Sequence, residues 1–281
     1  MSELHQQNRR SWNHATRVHN AHKGDQAAFL RAGGTTLFPE ELELLGEIRG
    51  KRLVHLQCNA GQDSLSLAAR GAHVTGVDIS DEAIEFARTL SEASGIAAGF
   101  ERSDVYDWFS ATAERFDIVY CSYGALVWLS DVRTWARGVA RVLAPGGRLV
   151  IVELHPVLNL FDEDGRIGTG YALGGGGARL DWPSGIGDYV EASQGALPAG
   201  EHIPSVEPFV NPEPSHEWEW SIADVVDAVA CAGLRIERMH EWPFSNGCRF
   251  FPNMVALPER RWALAANAPR VPLMYGLVAS R

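Results

Sequence analysis

The chain has 281 residues, 46% of them hydrophobic and 21% charged, an ordinary globular composition that excludes wholesale disorder. Lys and Arg number 25 against 35 Asp and Glu, a formal charge of −10, which argues against a nucleic acid or an anionic membrane as partner. No apolar run approaches the roughly 18 residues of a membrane span. The N-terminal MSELHQQNRRSWNH lacks the apolar stretch of a secretory signal. Cys58, Cys121, Cys231 and Cys248 are far apart and form no C-x-x-C pair, so neither a disulfide framework nor a metal site is expected. The expectation is a cytoplasmic monomer or homodimer.

Residues 1–48 read as helices and turns, with Trp12, Val18 and Phe29 as scattered anchors and Pro39 opening a helix. They form a candidate N-terminal helical lid. On it, Trp12 and His19 share a helix face, whereas His14 does not. From residue 51 the pattern alternates. Arg52–Gln57, His73–Asp78, Gly99–Arg102, Phe116–Ser122 and Arg148–Leu154 read as strands. A helix from Gly61 closes at Gly71, and a second is capped by Ser80 and stopped by Gly95. Trp135, Val139, Val142 and Leu143 mark the apolar face of a third. Residues 155–217 break the rhythm with four successive glycines from Gly174 and with Phe161, Tyr171, Trp182, Tyr189 and Phe209. They read as an insertion that folds over a ligand. Ile222, Val225, Val226 and Val229 then mark a helix ended by Gly233, with strands at Leu234–Glu241 and Val271–Ser280. The fold class is α/β: a seven-stranded, mostly parallel sheet with helices on both faces. Residues 49–281 form the sheet domain.

The run Leu53–Ser80 carries the chemistry: strand, tight turn, helix, strand, acidic residue. Ligands of open α/β sheets bind beyond the carboxyl ends of the strands. The turn Gln57–Gly61 and the free N–H groups of the following helix suit a ligand's anionic group. Asp78, 17 residues after Gly61, is placed for ribose hydroxyls. A dinucleotide fingerprint needs G-x-G-x-x-G, but Gln57-Cys58-Asn59-Ala60-Gly61-Gln62-Asp63 holds one glycine and an acid. NAD is therefore disfavoured against a nucleoside with a zwitterionic tail.

On these residues the chain resembles the class I S-adenosylmethionine-dependent methyltransferases, in particular a small-molecule, natural-product type of subgroup. His55-Leu56-Gln57-Cys58-Asn59-Ala60-Gly61 stands where that family has acidic-L-G-C-G-x-G, with Gln57 and Asn59 replacing two glycines. Leu143-Ala144-Pro145-Gly146-Gly147 matches its L-x-P-G-G turn. The resemblance implies a Rossmann-like fold, S-adenosylmethionine as cofactor and S-adenosylhomocysteine as product. It implies a cofactor site of Gln57, Asn59, Gly61, Asp78 on the ribose, Ile79 beside the adenine, Asp104 and Val105 at the adenine amino group, and Ser122. His155, just after the fifth strand, and Tyr123, at the exit of the fourth, are the candidate catalytic residues. Both are also candidate substrate contacts, with Trp12 and His19. The expected reaction is O-, N- or C-methylation of a small, aromatic or heteroaromatic metabolite, His155 serving as base. A catalytically inactive S-adenosylmethionine-binding regulatory or partner protein and an NAD(P)-dependent oxidoreductase are the alternatives.

Overall fold

A computed structural model describes residues 1–168, 170, 176–198, 200–205 and 207–281. Tyr171, Gly174 and Gly175 of the expected insertion lie outside the described residues. In chain order the elements are α1 (Glu3–Ala21), α2 (Gln26–Arg31), α3 (Pro39–Leu45), β1 (Arg52–Leu56), α4 (Gln62–Ala69), β2 (His73–Asp78), α5 (Asp81–Ser94) and β3 (Gly99–Arg102). There follow α6 (Val105–Ala111), β4 (Phe116–Ser122), α7 (Val132–Val142), β5 (Leu143–Leu154), β6 (Ala178–Trp182), α8 (Tyr189–Ala192) and β7 (Ser215–Glu219). The chain closes with α9 (Ile222–Cys231), β8 (Arg235–Trp242), β9 (Phe244–Asn246), β10 (Val255–Leu257), β11 (Arg261–Ala263) and β12 (Met274–Ser280). None of the described helices is long and apolar enough to cross a membrane.

The main sheet has seven strands in the order β3-β2-β1-β4-β5-β12-β8, parallel except for β12, which runs antiparallel to both its neighbours. The expected fold class is thus present. Alternation along the central strands divides a continuous apolar run between two cores. Val119, Cys121, Leu149 and Ile151 face α6, α7 and α9, with Trp108, Trp135 and Val229 in the same cluster. Ile118, Tyr120, Val150 and Val152 face the other side, with Leu44, Leu45 and Leu67. Trp135, Val139 and Val142 are fully buried, as the helix spacing requires.

Three boundaries differ from the sequence reading. The 1–48 segment is not all lid: Leu44, Leu45 and Ile48 pack into the sheet core, so α3 belongs to the sheet domain. The insertion runs past 217, because β7 pairs antiparallel with β6 from Ser215 to Glu219. Residues 244–263 hold a small antiparallel sheet, β10-β11-β9, which the sequence reading did not anticipate. Its three-residue strands are too short to show a period.

Candidate functional site

Strand order reverses at β1, which lies between β2 and β4. The ends of these strands open into a cavity of about 980 Å³, within the range of small-ligand sites. The turn after β1 is wound tightly. Gln57, Asn59 and Gly61 have φ of 55°, 48° and 77°, all left-handed, a conformation that costs a side-chain-bearing residue about 1–2 kcal/mol. Asn59 offsets this by accepting the Ala60 amide on its own side-chain oxygen at 2.6 Å. Gln57 donates Nε2 to the Ala125 carbonyl at 2.6 Å, and its Oε1 is buried without a partner.

Asp78 closes the turn from below. Its Oδ2 accepts the Asn59 amide and its Oδ1 the Ser80 amide, both at 2.8 Å. Burial nevertheless pushes its carboxyl up to about 6. Gln57, Asn59, Asp78 and Ile79 line the cavity, as do Asp104, Val105 and Ser122. Ser122 Oγ also meets His55 Nε2 at 3.2 Å. Gly61 does not line the cavity among the described residues. The reading of Gly61 as a close backbone approach to the ligand is corrected by its packing. A Cβ there would stand 2.6 Å from that of Ala87 and 2.8 Å from Phe100, so glycine lets α4 start against α5 and β3.

Helix α1 lies across this end of the cavity. Asn13 Oδ1 accepts from Ser80 Oγ at 2.7 Å and the Asp81 amide at 3.0 Å. Asn8 pairs with both backbone groups of His216 on β7. Asp104 caps α6, accepting the Tyr106 amide on Oδ1 at 2.9 Å. Its Oδ2 lies 2.6 Å from His5 Nδ1 of α1. The His5 contact holds the Asp104 carboxyl below its usual range despite its burial. Trp12 lines the cavity, its ring centroid 5.3 Å from that of Trp128. His19 does not line it, which corrects its placing as a substrate contact. It is 2% exposed, its Nε2 is held by the Gly187 carbonyl at 2.9 Å, and its ring packs 4.1 Å from Tyr189. It ties α1 to the segment around Tyr189.

His155 and Tyr123 both line the cavity. His155 Nδ1 accepts the Val157 amide at 3.0 Å, so Nε2 carries the proton and donates to Glu241 Oε1 at 3.1 Å. Neither nitrogen keeps a free lone pair, and burial lowers the imidazole's pKa. The expected role as general base is not supported by this arrangement. Tyr123 accepts from Asn246 Nδ2 at 2.8 Å, and burial pushes its phenol well above the ordinary value. The raised pKa keeps the phenol protonated.

Glu153 was not anticipated as a site residue. It is 3% exposed and accepts the backbone amides of Gly124, Ala125, Leu126 and Leu154, which fixes the segment leaving β4 beside Tyr123. The signal was available: a lone acid inside the apolar run RLVIVEL. The outer wall comes from the β6–β7 ribbon and the segments around it. Leu180, Trp182, Ser215, Glu217, Trp218 and Glu219 line the cavity from it. Trp182 Nε1 donates to Glu217 at 3.0 Å, and burial raises the Glu217 carboxyl. Phe161, Tyr189, Phe250 and Phe251 add aromatic surface. Carboxylates outnumber Lys and Arg along the described wall, where only Lys23 and Arg249 are cationic. The run Phe161–Gly165 folds as a turn in which Asp162 Oδ1 accepts the Asp164 and Arg166 amides.

Comparison with known proteins agrees with this layout. Residues 54–147 match the family model described as a methyltransferase domain. A ubiquinone biosynthesis O-methyltransferase of Aeromonas salmonicida is 33% identical over 110 residues, 39% of this chain and 46% of that protein. An O-methyltransferase of Aspergillus nomiae is 35% identical over 115 residues, 40% of this chain and 50% of that protein. The chain thus spans about half the length of the curated relatives it matches. Among solved structures, an S-adenosylmethionine dependent methyltransferase from Mesorhizobium loti has a TM-score of 0.56 at 21% identity, covering 89% of this chain and 99% of that one. The CcbJ methyltransferase from Streptomyces caelestis has a TM-score of 0.58 at 16% identity, covering 97% and 98%. Residues 54–147 thus match a methyltransferase domain, and the fold is the one seen in solved S-adenosylmethionine-dependent methyltransferases.

Proposed function

We propose that the protein transfers a methyl group from S-adenosylmethionine to a small, largely apolar acceptor, aromatic or heteroaromatic in character and neutral or cationic in charge. The observation that carries this reading is the single cavity face formed by the turn Gln57–Asn59, Asp78 and the aromatic outer wall. The residues at the β1, β2 and β3 ends fit the cofactor. Asp78 has both oxygens on backbone amides and can still accept two ribose hydroxyls, since a carboxylate offers about four lone-pair sites. The orphaned Gln57 Oε1 can accept from an ammonium group. An acid-rich wall suits a positively charged ligand.

S-adenosylmethionine, when bound, supplies a methyl group on a positively charged sulfur. The chain's part is alignment and exclusion of water. Glu153 fixes the Tyr123–Leu126 segment through the Gly124, Ala125 and Leu126 amides, and Tyr123 can orient a polar atom of the acceptor. His155 acts as a positioning residue, tying the start of the insertion to Glu241. Trp12, Trp128 and Tyr189 close the space above. Aromatic faces beside a sulfonium add cation–π attraction of about 0.5–2 kcal/mol. The lid and the 155–219 insertion carry acceptor choice. The O-methyltransferase names of the curated relatives favour oxygen as acceptor atom.

Calorimetry with S-adenosylhomocysteine, followed by mass spectrometry of a phenol, indole and arylamine library incubated with S-adenosylmethionine, tests the reading. Cofactor binding in the micromolar range and a methylated product are expected. No binding, or binding of a nicotinamide dinucleotide instead, overturns it. Binding with no product from any acceptor class favours the inactive-protein alternative.

A further inference from the structure

Beyond the expected cofactor contacts, the lid helix brings one more side chain to the purine end of the cavity. His5 of α1 is 6% exposed and belongs to the cavity wall together with Ser103, Asp104 and Val105. Three contacts hold its ring. Nδ1 meets Asp104 Oδ2 at 2.6 Å, the ring stacks on Tyr106 at 5.6 Å and 14°, and it meets Trp218 edge-on at 5.5 Å. Because the Asp104 carboxyl is held in its ionised form, Nδ1 must be the donor. Nε2 of the neutral ring is then a hydrogen-bond acceptor, and it is buried without any partner. Two rings and a carboxylate maintain it in one orientation.

The Asp104 carboxylate is itself committed. Oδ1 caps α6 through the Tyr106 amide and Oδ2 takes His5. We propose that His5 is a specificity-determining residue for the cofactor: its Nε2 accepts a hydrogen bond from the exocyclic amino group of the purine, with Asp104 acting through it. This rests on the cofactor assignment above. It adds that the lid helix, not the sheet domain alone, reads the base. The polarised Nδ1–H···carboxylate pair makes Nε2 a stronger acceptor than an isolated imidazole. Cofactor binding would then stabilise the position of α1, which also carries Trp12 at the acceptor side.

The test is calorimetry with two ligands, S-adenosylhomocysteine and its analogue in which hydrogen replaces the purine 6-amino group, on the wild type and on His5→Phe and His5→Gln. Phe keeps the stack on Tyr106 but removes the acceptor; Gln supplies a carbonyl. The wild type should prefer the amino ligand by about tenfold, the worth of one hydrogen bond. His5→Phe should lose that preference while binding the analogue as the wild type does, and His5→Gln should recover part of it. Equal preference in the wild type and His5→Phe overturns the proposal, as does a variant that weakens both ligands alike, since the ring would then be structural. If His5→Phe does not fold, Asp104→Asn gives the same reading, with a reduced amino preference expected and an unchanged preference overturning the proposal. Failure of the wild type to bind either ligand would instead remove the cofactor assignment itself.

Discussion

Asp78 shows how a single carboxylate ties folding to binding. It braces the turn after β1 through the Asn59 and Ser80 amides, and it also lines the cavity. Its carboxyl is pushed up to about 6 by burial, and ribose hydroxyls would donate to the ionised form. Affinity for S-adenosylhomocysteine should therefore be flat above pH 6 and weaken below it, by up to about tenfold per pH unit. Calorimetry from pH 5 to 8 reads this slope, and Asp78→Asn should remove it while weakening binding about a hundredfold at pH 8. His155 gives the opposite expectation. With Nδ1 on the Val157 amide and Nε2 on Glu241, His155→Asn should keep kcat within about threefold, because the Asn oxygen can still accept that amide. A loss of about 10²–10⁴-fold, the range for a removed general base, would return His155 to catalysis. The position of His155 after the fifth strand was legible in the sequence. The donor that consumes its lone pair was not, since Glu241 comes from a strand 86 residues away.

At the scale of elements, the segment from β1 to β5 follows its sequence signals closely. Ser80 caps α5 by accepting the Ala83 amide, and Gly95 ends it in the left-handed region. Gly61 was legible as a special position, but the reason was not. The glycine serves both φ of 77° and contact with Ala87 and Phe100, which are distant in sequence. Gly61→Ala should destabilise the protein by about 2–4 kcal/mol, adding a left-handed penalty to overpacking. A fall in Tm of about 5–10 °C on circular dichroism is the expected result. An unchanged Tm would show that α4 can shift to admit the methyl group. The β6–β7 ribbon was not legible, because its strands are separated by more than 30 residues of turn-rich chain and each has a polar face.

Across the whole molecule, α3 links the pH response of folding to the sheet. Glu41 is fully buried. Its Oε1 accepts from the Tyr120 hydroxyl at 2.6 Å, and Oε2 accepts the Phe38 amide. Burial pushes its carboxyl from 4.5 up to about 8, so the folded state holds a proton that the unfolded chain releases above 4.5. The resulting stability is present below that value and lost as pH rises toward 8. His19 and His55, lowered to about 4, are neutral in both states above 6.5 and do not mask the effect there. Denaturant unfolding between pH 6.5 and 8 should show stability falling by up to about 1.4 kcal/mol per pH unit. In Glu41→Gln this decline should be absent; a decline equal to that of the wild type would place the buried charge elsewhere.

What the sequence determined by itself was local. Strand–helix alternation, caps and the Leu53–Ser80 run sufficed for the sheet, its seven strands and the cofactor class, because each of those signals is written within about 30 consecutive residues and set by backbone geometry and period. What the tertiary structure alone decided was contact across the chain. It put His5 on Asp104, which lies 99 residues away, spent both nitrogens of His155, moved His19 out of the cavity and set Glu153 against four amides. Such pairings depend on which side chains the folded core brings within about 3 Å, and no period or motif encodes them.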